Sequence, residues 1–459
     1  MKTRQFRFVP GAKVKKRAVF GMVFLFAGIM SALAQQDGDQ RKRESKMLAD
    51  NVFHLSEVML HDVANPPAAS RFYAYCTLGA YEVARCSGSK LPDLDGRFNV
   101  NPGIKAPPVP KKFNLAFSAN YALLEVGRQI MPSGYMLEEK QKELVDAFKA
   151  SGVLSERNLN KNIRYAQELA RQVLAYAKTD GYGKLSTYKR YTPPQRRGAL
   201  VPDAAGILPA GRTQMGNDQA LFPGIRRSVS ACPAHPFSKD TTSSFYGAMM
   251  EVYNVVNNLT AEQKEIASFW DCNPFAVTYS GHMAIGLKKI SPGGHWMGIT
   301  GIVCQDAGIP LDSAIFAHAL VAVTLHDAFI SCWQEKYHSD RIRPETAINK
   351  MVDPKWRPIL QTPPFPEYTS GHSVASASAA SALTRLFGDH FRYTDTSELY
   401  FGLPERKYNS FFEASGEAAI SRLYGGIHYR DACEEGVRQG RDVGAWVLKK
   451  VFGPDAKGD

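Results

Sequence analysis

Three groups of chemically active side chains lie in the C-terminal third of the 459-residue chain. They are, in chain order, Lys336 with Arg343 directly before Pro344, then Ser370-Gly371-His372, and then Arg422 with His428 across Gly425-Gly426. Three cations, a hydroxyl, a glycine N–H and two imidazoles suit a compact oxyanion whose negative charge is spread over several oxygens. Such an ion also takes one group at its apex. A neutral imidazole can supply that group while a second imidazole moves protons.

Each group needs a particular backbone arrangement to take part. Pro344 predicts a break after Lys336, because the residue before proline is pushed out of the α region. Ser370-Gly371-His372 precedes a run of small residues, so it predicts a helix start, whose dipole favours an anion. Gly425-Gly426 can turn the chain so that Arg422 and His428 converge. Ser280-Gly281-His282 repeats the tripeptide without a proline-aromatic approach, and we expect it to be incidental.

Helical periodicity dominates the regular parts of the sequence, and the two-residue alternation of strands is rare. The predicted helices are 47–62, 67–86, 114–131, 136–150, 156–178, 243–257, 261–270, 311–333, 373–387, 409–424 and 432–451. We therefore predict an all-α, multi-helix bundle. A long irregular segment, 180–240, ends an N-terminal helical half (35–240) and precedes a C-terminal half (241–459) that carries the oxyanion site.

The first 34 residues have the pattern of a signal peptide. Seven basic residues and no acidic one end at Arg17, thirteen mostly apolar residues follow, and Ala32-Leu33-Ala34 resembles a cleavage site. Thirteen residues fall short of the roughly 20 that a membrane anchor needs. We expect a mature chain from Gln35 that is periplasmic or secreted and has no stable membrane anchor. The net charge falls from +12 to +5 without this segment, which gives no reason to expect nucleic acid as a partner.

The seven cysteines form no CxxC pair and no Cys/His set with zinc spacing. Export permits disulfides, but the odd number leaves at least one thiol unpaired, and the pairing stays open.

The three groups together resemble a known superfamily. The pattern is similar to that of the vanadium-dependent haloperoxidases and the type 2 phosphatidic acid phosphatases, which share an all-α core. It consists of a lysine separated by six residues from Arg-Pro, then Ser-Gly-His, and then Ser-Arg separated by five residues from a histidine. Flanking features resemble the haloperoxidases, namely Trp333, the sequence PPFPEY and Asn65-Pro66-Pro67. The spacings, with Ser370 27 residues after Arg343 and Arg422 52 after Ser370, resemble the bacterial vanadium iodoperoxidases.

The resemblance implies a role for each matching residue. His428 would bind vanadium axially, and His372 would be the acid or base that helps peroxide displace the apical oxygen. Trp333 and Phe365 would wall the halide side. The vanadate oxygens would be held by Lys336, Arg343, Ser370, Gly371 and Arg422. The implied cofactor is vanadate, with phosphate able to occupy the same site, and the implied partners are hydrogen peroxide and halide.

Two positions depart from the family pattern. Thr369 stands where the family usually has proline, which loosens the approach to the helix but removes no ligand. The family often has Asp four residues after the axial histidine, where this chain has Ala432. The sequence leaves open whether Asp431 orients His428 instead.

Three functions stay open at this point. The first is an exported haloperoxidase that forms hypohalous acid, with iodide or bromide favoured, in which Lys336 polarises the bound peroxide. The second is a phosphatase in which His428 is the nucleophile and His372 protonates the leaving alcohol. The third is an exported oxyanion-binding protein without catalysis. The narrow apolar pocket expected from Trp333 and Phe365 favours a halide over a phosphate ester.

Overall fold

The structure is a computed structural model of the full chain. It describes residues 16–187, 198–199, 220–222, 224–225, 229–274, 277–280, 283–286 and 289–453. Much of the segment 180–240, which the sequence predicts to be irregular, therefore lies outside the described residues. Gly281 and His282 lie outside them too, so the incidental Ser-Gly-His is not described as a unit.

The described chain is built almost entirely from α-helices, which confirms the predicted all-α bundle. The helices are α1 Lys16–His61, α2 Pro66–Cys86, α3 Leu115–Ile130, α4 Leu137–Ala150, α5 Glu156–Ala177, α6 Ser244–Asn257, α7 Ala261–Phe269, α8 Pro292–Asp306, α9 Leu311–Ser339, α10 Pro344–Met351, α11 Gly371–Phe387, α12 Phe411–Tyr424 and α13 Arg430–Phe452.

Four short strands form two separate antiparallel pairs. Strands β1 (Val277–Ser280) and β2 (Met283–Gly286) pair with Val277 opposite Gly286. Strands β3 (Tyr393–Asp395) and β4 (Arg406–Tyr408) pair with Tyr393 opposite Tyr408. Both pairs lie in connections between helices, and Tyr393 and Tyr408 of the second pair are buried in the core that the helices form.

Helix α9 runs through the centre of the bundle. It packs against α2 on one side and against α11 on another, while α11 packs against α12 and α13. Among the described helices, α9 is the one long and apolar enough to span a membrane by length and composition, and its apolar stretch is entirely buried in the fold. The amino acids of α9 are therefore those of a core helix.

Two helices have no counterpart among the predicted segments. Helix α8 begins Pro292-Gly293-Gly294, a run usually typical of a turn, but Pro292 occupies the first turn and the Ser291 hydroxyl accepts the Gly294 N–H at 3.1 Å. A Cβ on Gly301 of α8 would lie 2.7 Å from the Ala49 Cβ of α1. The glycines of α8 thus allow close helix packing.

Helix α10 begins at the proline that predicted a break. Helix α9 ends at Ser339, Asp340 is left-handed with φ 51°, and Arg343 is the N-cap of α10 in an extended conformation. Similarly, α12 ends at Tyr424, and Gly426, with φ +76°, turns the chain before α13. Lys336, Arg343, Arg422 and His428 therefore lie at helix ends and in the connections between helices.

Candidate functional site

A narrow cavity lies beside the end of α9 and the start of α11. Its volume is about 40 Å³, where roughly 10–15 Å³ admits one water molecule. The cavity therefore accommodates a compact ion. Six of the predicted site residues line it, namely Trp333, Phe365, Gly371, His372, Arg422 and His428.

The remaining three predicted residues are buried around the cavity without lining it. Lys336, Arg343 and Ser370 are each at most 1% exposed. The structure thus gathers all nine residues into one region, six at the cavity surface and three immediately behind it.

Lys336 is held by the loop that precedes α11. Its Nζ donates hydrogen bonds to the carbonyl oxygens of Pro366, Glu367 and Thr369 at 3.1, 3.0 and 2.5 Å. Burial lowers the pKa of Lys336 to about 8. The ammonium group therefore holds the backbone of this loop in place. The sequence did not indicate this contact between Lys336 and the backbone.

The two arginines are also buried and bonded mainly to backbone. Arg343 donates to the carbonyl oxygens of Phe365 at 2.9 Å and Ile427 at 2.8 Å. Arg422 donates from Nη2 to the Trp270 carbonyl oxygen at 2.6 Å. Burial lowers the pKa of Arg343 to about 10 and lowers that of Arg422 as well. Two desolvated cations beside one small cavity make an environment that an anion would stabilise.

His428 presents a neutral nitrogen toward the cations. Its Nδ1 lies 2.8 Å from Glu367 Oε1, and its Nε2 accepts a hydrogen bond from Arg343 Nη1 at 3.2 Å. Burial, assisted by Arg343 and Lys336, holds the pKa of His428 well below its usual range. Because a carboxylate accepts only, the proton is assigned to Nδ1, and Nε2 is the unprotonated nitrogen on the side of Arg343.

Glu367 is the functional residue that the sequence analysis missed. It belongs to the PPFPEY motif, three residues before Ser370, and it is fully buried. Its Oε1 also accepts the Tyr429 N–H at 3.1 Å. The sequence analysis names the motif, but nothing in the sequence indicates that its carboxylate reaches the imidazole of His428.

Asp431 does not contact His428, which answers the question that the sequence left open. Its carboxylate pairs with Arg341 through two hydrogen bonds of 2.6 and 2.5 Å. Arg341 Nε in turn lies 3.1 Å from Glu367 Oε2. Asp431 therefore supports Glu367 through Arg341, and Glu367 orients the imidazole.

His372 differs from His428 in having a nitrogen without a partner. Its Nε2 is buried and has no hydrogen-bond partner within the described part of the chain, and the residue lines the cavity. Burial, then the charges of Arg422 and His428, hold the pKa of His372 well below its usual range. A buried polar nitrogen at a polar cavity is a natural contact for a bound group.

Ser370 and Thr369 define the start of α11. The Ser370 hydroxyl caps the helix by accepting the Ser373 N–H at 3.3 Å and the Ser373 hydroxyl at 2.9 Å. Thr369, in place of the usual proline, donates its hydroxyl to Gln439 at 2.7 Å. A Cβ on Gly371 would lie 3.6 Å from the Trp333 ring, so glycine keeps this side of the cavity open.

Aromatic rings form the apolar side of the cavity. Trp333 lies 5.0 Å from Phe365 and 5.7 Å from Phe329, measured between ring centroids. Phe329, one helical turn before Trp333, is a lining residue that the sequence analysis did not name. The rings give one face of the cavity the low polarity that suits a large, polarisable anion.

A helical bundle with a small cationic cavity and two neutral imidazoles at that cavity is suited to hold a compact oxyanion. The proteins that the chain resembles in sequence and structure are of this kind. The family described as the VCPO second helical-bundle domain matches residues 316–453, which include all nine predicted site residues. No curated protein sequence matches the chain.

Solved structures extend the similarity over most of the chain. A bacterial vanadium-dependent iodoperoxidase is 36% identical, with a TM-score of 0.82, over 89% of this chain and 97% of its own. The holo and apo structures of a bacterial vanadium-dependent chloroperoxidase share 16% identity, with TM-scores of 0.60 and 0.62. Each covers 84% of this chain, and 92% and 94% of the chloroperoxidase chains are matched.

The chain belongs to the vanadium-dependent haloperoxidase family and is an enzyme of that class. The likeness to the chloroperoxidases shows the shared fold, and the likeness to the iodoperoxidase carries the family assignment.

Proposed function

We propose that this enzyme oxidises halide with hydrogen peroxide, with iodide favoured and bromide next, and that it holds vanadate in the cavity between His428 and His372. The observation that carries the proposal is the neutral Nε2 of His428, fixed by Glu367 and facing a buried group of cations. The 36% identical relative, an iodoperoxidase, supports the choice of halide.

The residues around the cavity fit vanadate. Burial lowers the pKa of Lys336, Arg343 and Arg422, and a bound oxyanion would offset the cost of burying their charges. Nε2 of His372 has no hydrogen-bond partner among the described residues and is free to contact a bound group. Arg422 and Gly371 line the cavity and would hold oxygens, Arg343 lies immediately behind it, and Nε2 of His428 would bind the metal.

When bound, vanadate supplies a Lewis acid that activates hydrogen peroxide toward halide. The chain's own residues do the remaining work. His372, whose pKa burial holds low so that it is neutral at neutral pH, would accept a proton from hydrogen peroxide at Nε2 and release it again during turnover. Peroxide, halide and one proton give hypohalous acid and water. The arginines stabilise the charge that accumulates on oxygen.

The aromatic side of the cavity sets the halide preference. Trp333 and Phe365 offer polarisable rings and exclude water, and a large halide sheds its weak hydration more readily than a small one. We therefore assign them to the approach of iodide. The apolar rings on this side of the cavity suit a halide better than the alcohol of a phosphate ester.

The deciding experiment compares two activities in one preparation. Residues 35–459, loaded with orthovanadate, should oxidise iodide with peroxide faster than bromide and chloride. The vanadate-free form should show little hydrolysis of p-nitrophenyl phosphate. Efficient phosphatase activity without iodide oxidation in the loaded protein would contradict the proposal.

We also propose export, on the sequence pattern of residues 1–34. The basic stretch, the apolar run and Ala32-Leu33-Ala34 support cleavage before Gln35. The mass of the native protein from periplasmic or secreted material checks this. Native protein that retains residues 1–34 in the membrane fraction would contradict it.

A further inference from the structure

Cys272, His295 and Glu398 form a buried cluster beside the oxyanion cavity, although they are far apart in the sequence. Cys272 follows α7, His295 lies in the first turn of α8, and Glu398 follows β3. All three are at most 2% exposed. One ligand-type atom from each, Sγ, an imidazole nitrogen and a carboxylate oxygen, lies within 4.8 Å of the other two. Sequence spacing alone could not reveal this cluster.

The distances in the cluster fit tetrahedral coordination. His295 Nδ1 lies 3.4 Å from Cys272 Sγ and 3.3 Å from Glu398 Oε1. Zinc binds imidazole nitrogen and carboxylate oxygen at about 2.0–2.2 Å and thiolate sulfur at about 2.3 Å, so tetrahedral ligands lie about 3.4–3.6 Å apart. The two measured separations therefore match two edges of a zinc tetrahedron within about 0.2 Å.

Asp395 prepares His295 to act as a ligand. Its Oδ2 lies 2.8 Å from His295 Nε2, and its other oxygen accepts the Ser397 N–H at 3.0 Å and hydroxyl at 2.7 Å. A carboxylate behind the imidazole is the usual support of a zinc-binding histidine, because it places the proton on one nitrogen and frees the other. Here that free nitrogen is Nδ1, which faces Cys272 and Glu398.

Glu398 supplies an independent observation that points to a ligand. Its Oε1 is buried, and within the described part of the chain no group donates a well-directed hydrogen bond to it. A buried carboxylate oxygen in this state is costly unless a cation binds it. The His295 ring is meanwhile fixed by Trp270, which stacks on it at 4.4 Å between centroids.

We propose that Cys272 Sγ, His295 Nδ1 and Glu398 Oε1 bind a zinc ion, with water at the fourth position. The mixed sulfur, nitrogen and oxygen donors suit zinc better than magnesium or calcium, which prefer oxygen alone. Binding releases to solvent the Cys272 thiol proton and any proton that His295 Nδ1 carries in the metal-free state. The zinc ties the segment after α7 to α8 and to the β3 connection. The site would lie directly behind the cavity that Cys272 lines.

A competing explanation is a metal-free charge cluster. Burial alone would lower the pKa of His295, but the carboxylates of Asp395 and Glu398 hold it well above its usual value when no metal is present. A protonated His295 would then donate to Asp395 and face Glu398. The experiment below separates the two arrangements.

The full chain, grown with zinc and dialysed into metal-free buffer, is analysed for zinc and vanadium in the same sample by plasma mass spectrometry. We expect close to one zinc per chain, whether or not vanadate is present. Replacing zinc by cobalt should give a thiolate-to-cobalt charge-transfer band. That band should disappear in Cys272→Ser, and the zinc affinity of Cys272→Ser and Glu398→Gln should fall at least ~10-fold.

Two further variants separate metal binding from folding. Asp395→Asn keeps all three ligands and should weaken zinc binding about 10- to 100-fold, because it removes the support of the imidazole. Cys304→Ser removes another fully buried thiol, on the same helix as His295, and should leave zinc content unchanged. Zinc should raise the melting temperature of the stripped wild type and of Cys304→Ser, but should do so much less for Cys272→Ser.

Two results would overturn the proposal. One is a wild-type chain that takes up no stoichiometric zinc and gives no thiolate-to-cobalt band, which would establish the charge cluster. The other is a loss of zinc in Cys304→Ser as large as in Cys272→Ser, which would place the metal elsewhere.

Discussion

The imidazole of His428 depends on a single carboxylate for its orientation. Glu367 accepts a hydrogen bond from Nδ1–H, so Nε2 is the unprotonated nitrogen, and it accepts a hydrogen bond from Arg343 beside the cavity. The contact between Glu367 and His428 also explains why the chain can have Ala432 at the position where the family often has aspartate. A different element, the loop before α11, supplies the carboxylate.

Replacing that carboxylate should weaken cofactor binding. Glu367→Gln keeps the shape of the side chain but removes the charge that supports His428 and faces Arg341. We expect vanadate affinity to fall about 10- to 100-fold, measured by equilibrium dialysis with vanadium quantitation. The control is Glu345→Gln on α10, where the carboxylate accepts a hydrogen bond from the Thr362 hydroxyl. Unchanged vanadate affinity in Glu367→Gln would show that the hydrogen bond does not support the ligand.

The two histidines should respond differently to removal. His428→Ala should abolish vanadate retention and turnover, because it deletes the nitrogen placed to bind the metal. His372→Ala should retain most vanadate and lose about 10²- to 10⁴-fold in iodide oxidation, since it removes a proton-transfer group. Dialysis and an iodide oxidation assay on the same samples measure both. His282→Ala, in the incidental Ser-Gly-His, should resemble wild type. Vanadium held by His428→Ala and lost by His372→Ala would exchange the two roles.

At the scale of elements, glycines control how closely the helices approach. Gly301 of α8 faces Ala49 of α1 so closely that an added Cβ would lie 2.7 Å from the Ala49 methyl group. Gly416 of α12 has nothing within 4 Å of an added Cβ. The two positions therefore separate packing from helix propensity.

The two alanine substitutions should change stability in opposite directions. Gly301→Ala should lower the free energy of unfolding by about 1–3 kcal/mol, because the two helices must move apart. Gly416→Ala should raise it by about 0.5–1 kcal/mol, since alanine is the better helix former. Urea unfolding of both variants measures this. A stabilised Gly301→Ala would mean that α1 and α8 do not pack this closely.

Most helices could be predicted from the sequence because an apolar stripe at helical spacing reports which face is buried. Helices α8 and α10 could not be predicted, since the Pro-Gly-Gly start of α8 and the proline at the start of α10 are equally typical of turns. The three motifs identified the side chains around the cavity. The contacts of Glu367, and the cluster of Cys272, His295 and Glu398, depend on which connections meet in three dimensions. One sequence carries no signal for such long-range contacts.

At the scale of the whole molecule, the pH dependence of stability is set in part by two histidines buried in the central helix α9. His318 and His326 both lie on α9, and both are at most 2% exposed. Burial lowers the pKa of each to about 4. In the unfolded chain a histidine has a pKa of about 6.5. Between these values the unfolded chain binds more protons, so stability rises with pH.

The fold should therefore lose stability as the pH falls from about 6.5 toward 4. Each of the two histidines accounts for about 2 kcal/mol of the loss at pH 5, and this contribution is fully present above its unfolded pKa. His326→Leu should make the fall in unfolding free energy between pH 7.5 and pH 5 smaller by about that amount. His338→Leu, at an exposed position of α9, should leave it unchanged. Equal pH dependence in wild type and His326→Leu would contradict the assignment.

The burial of α9 also has a consequence for the timescale on which the site can open. Backbone amides in a helix covered on all sides exchange with deuterium only when the whole bundle opens. Lys336 sits in the last turn of that helix and braces the loop that carries Glu367. Deuterium uptake in the buried part of α9, Ala314 to Trp333, should thus be as slow as global unfolding, so the cavity wall that Phe329 and Trp333 form should come apart only when the protein does.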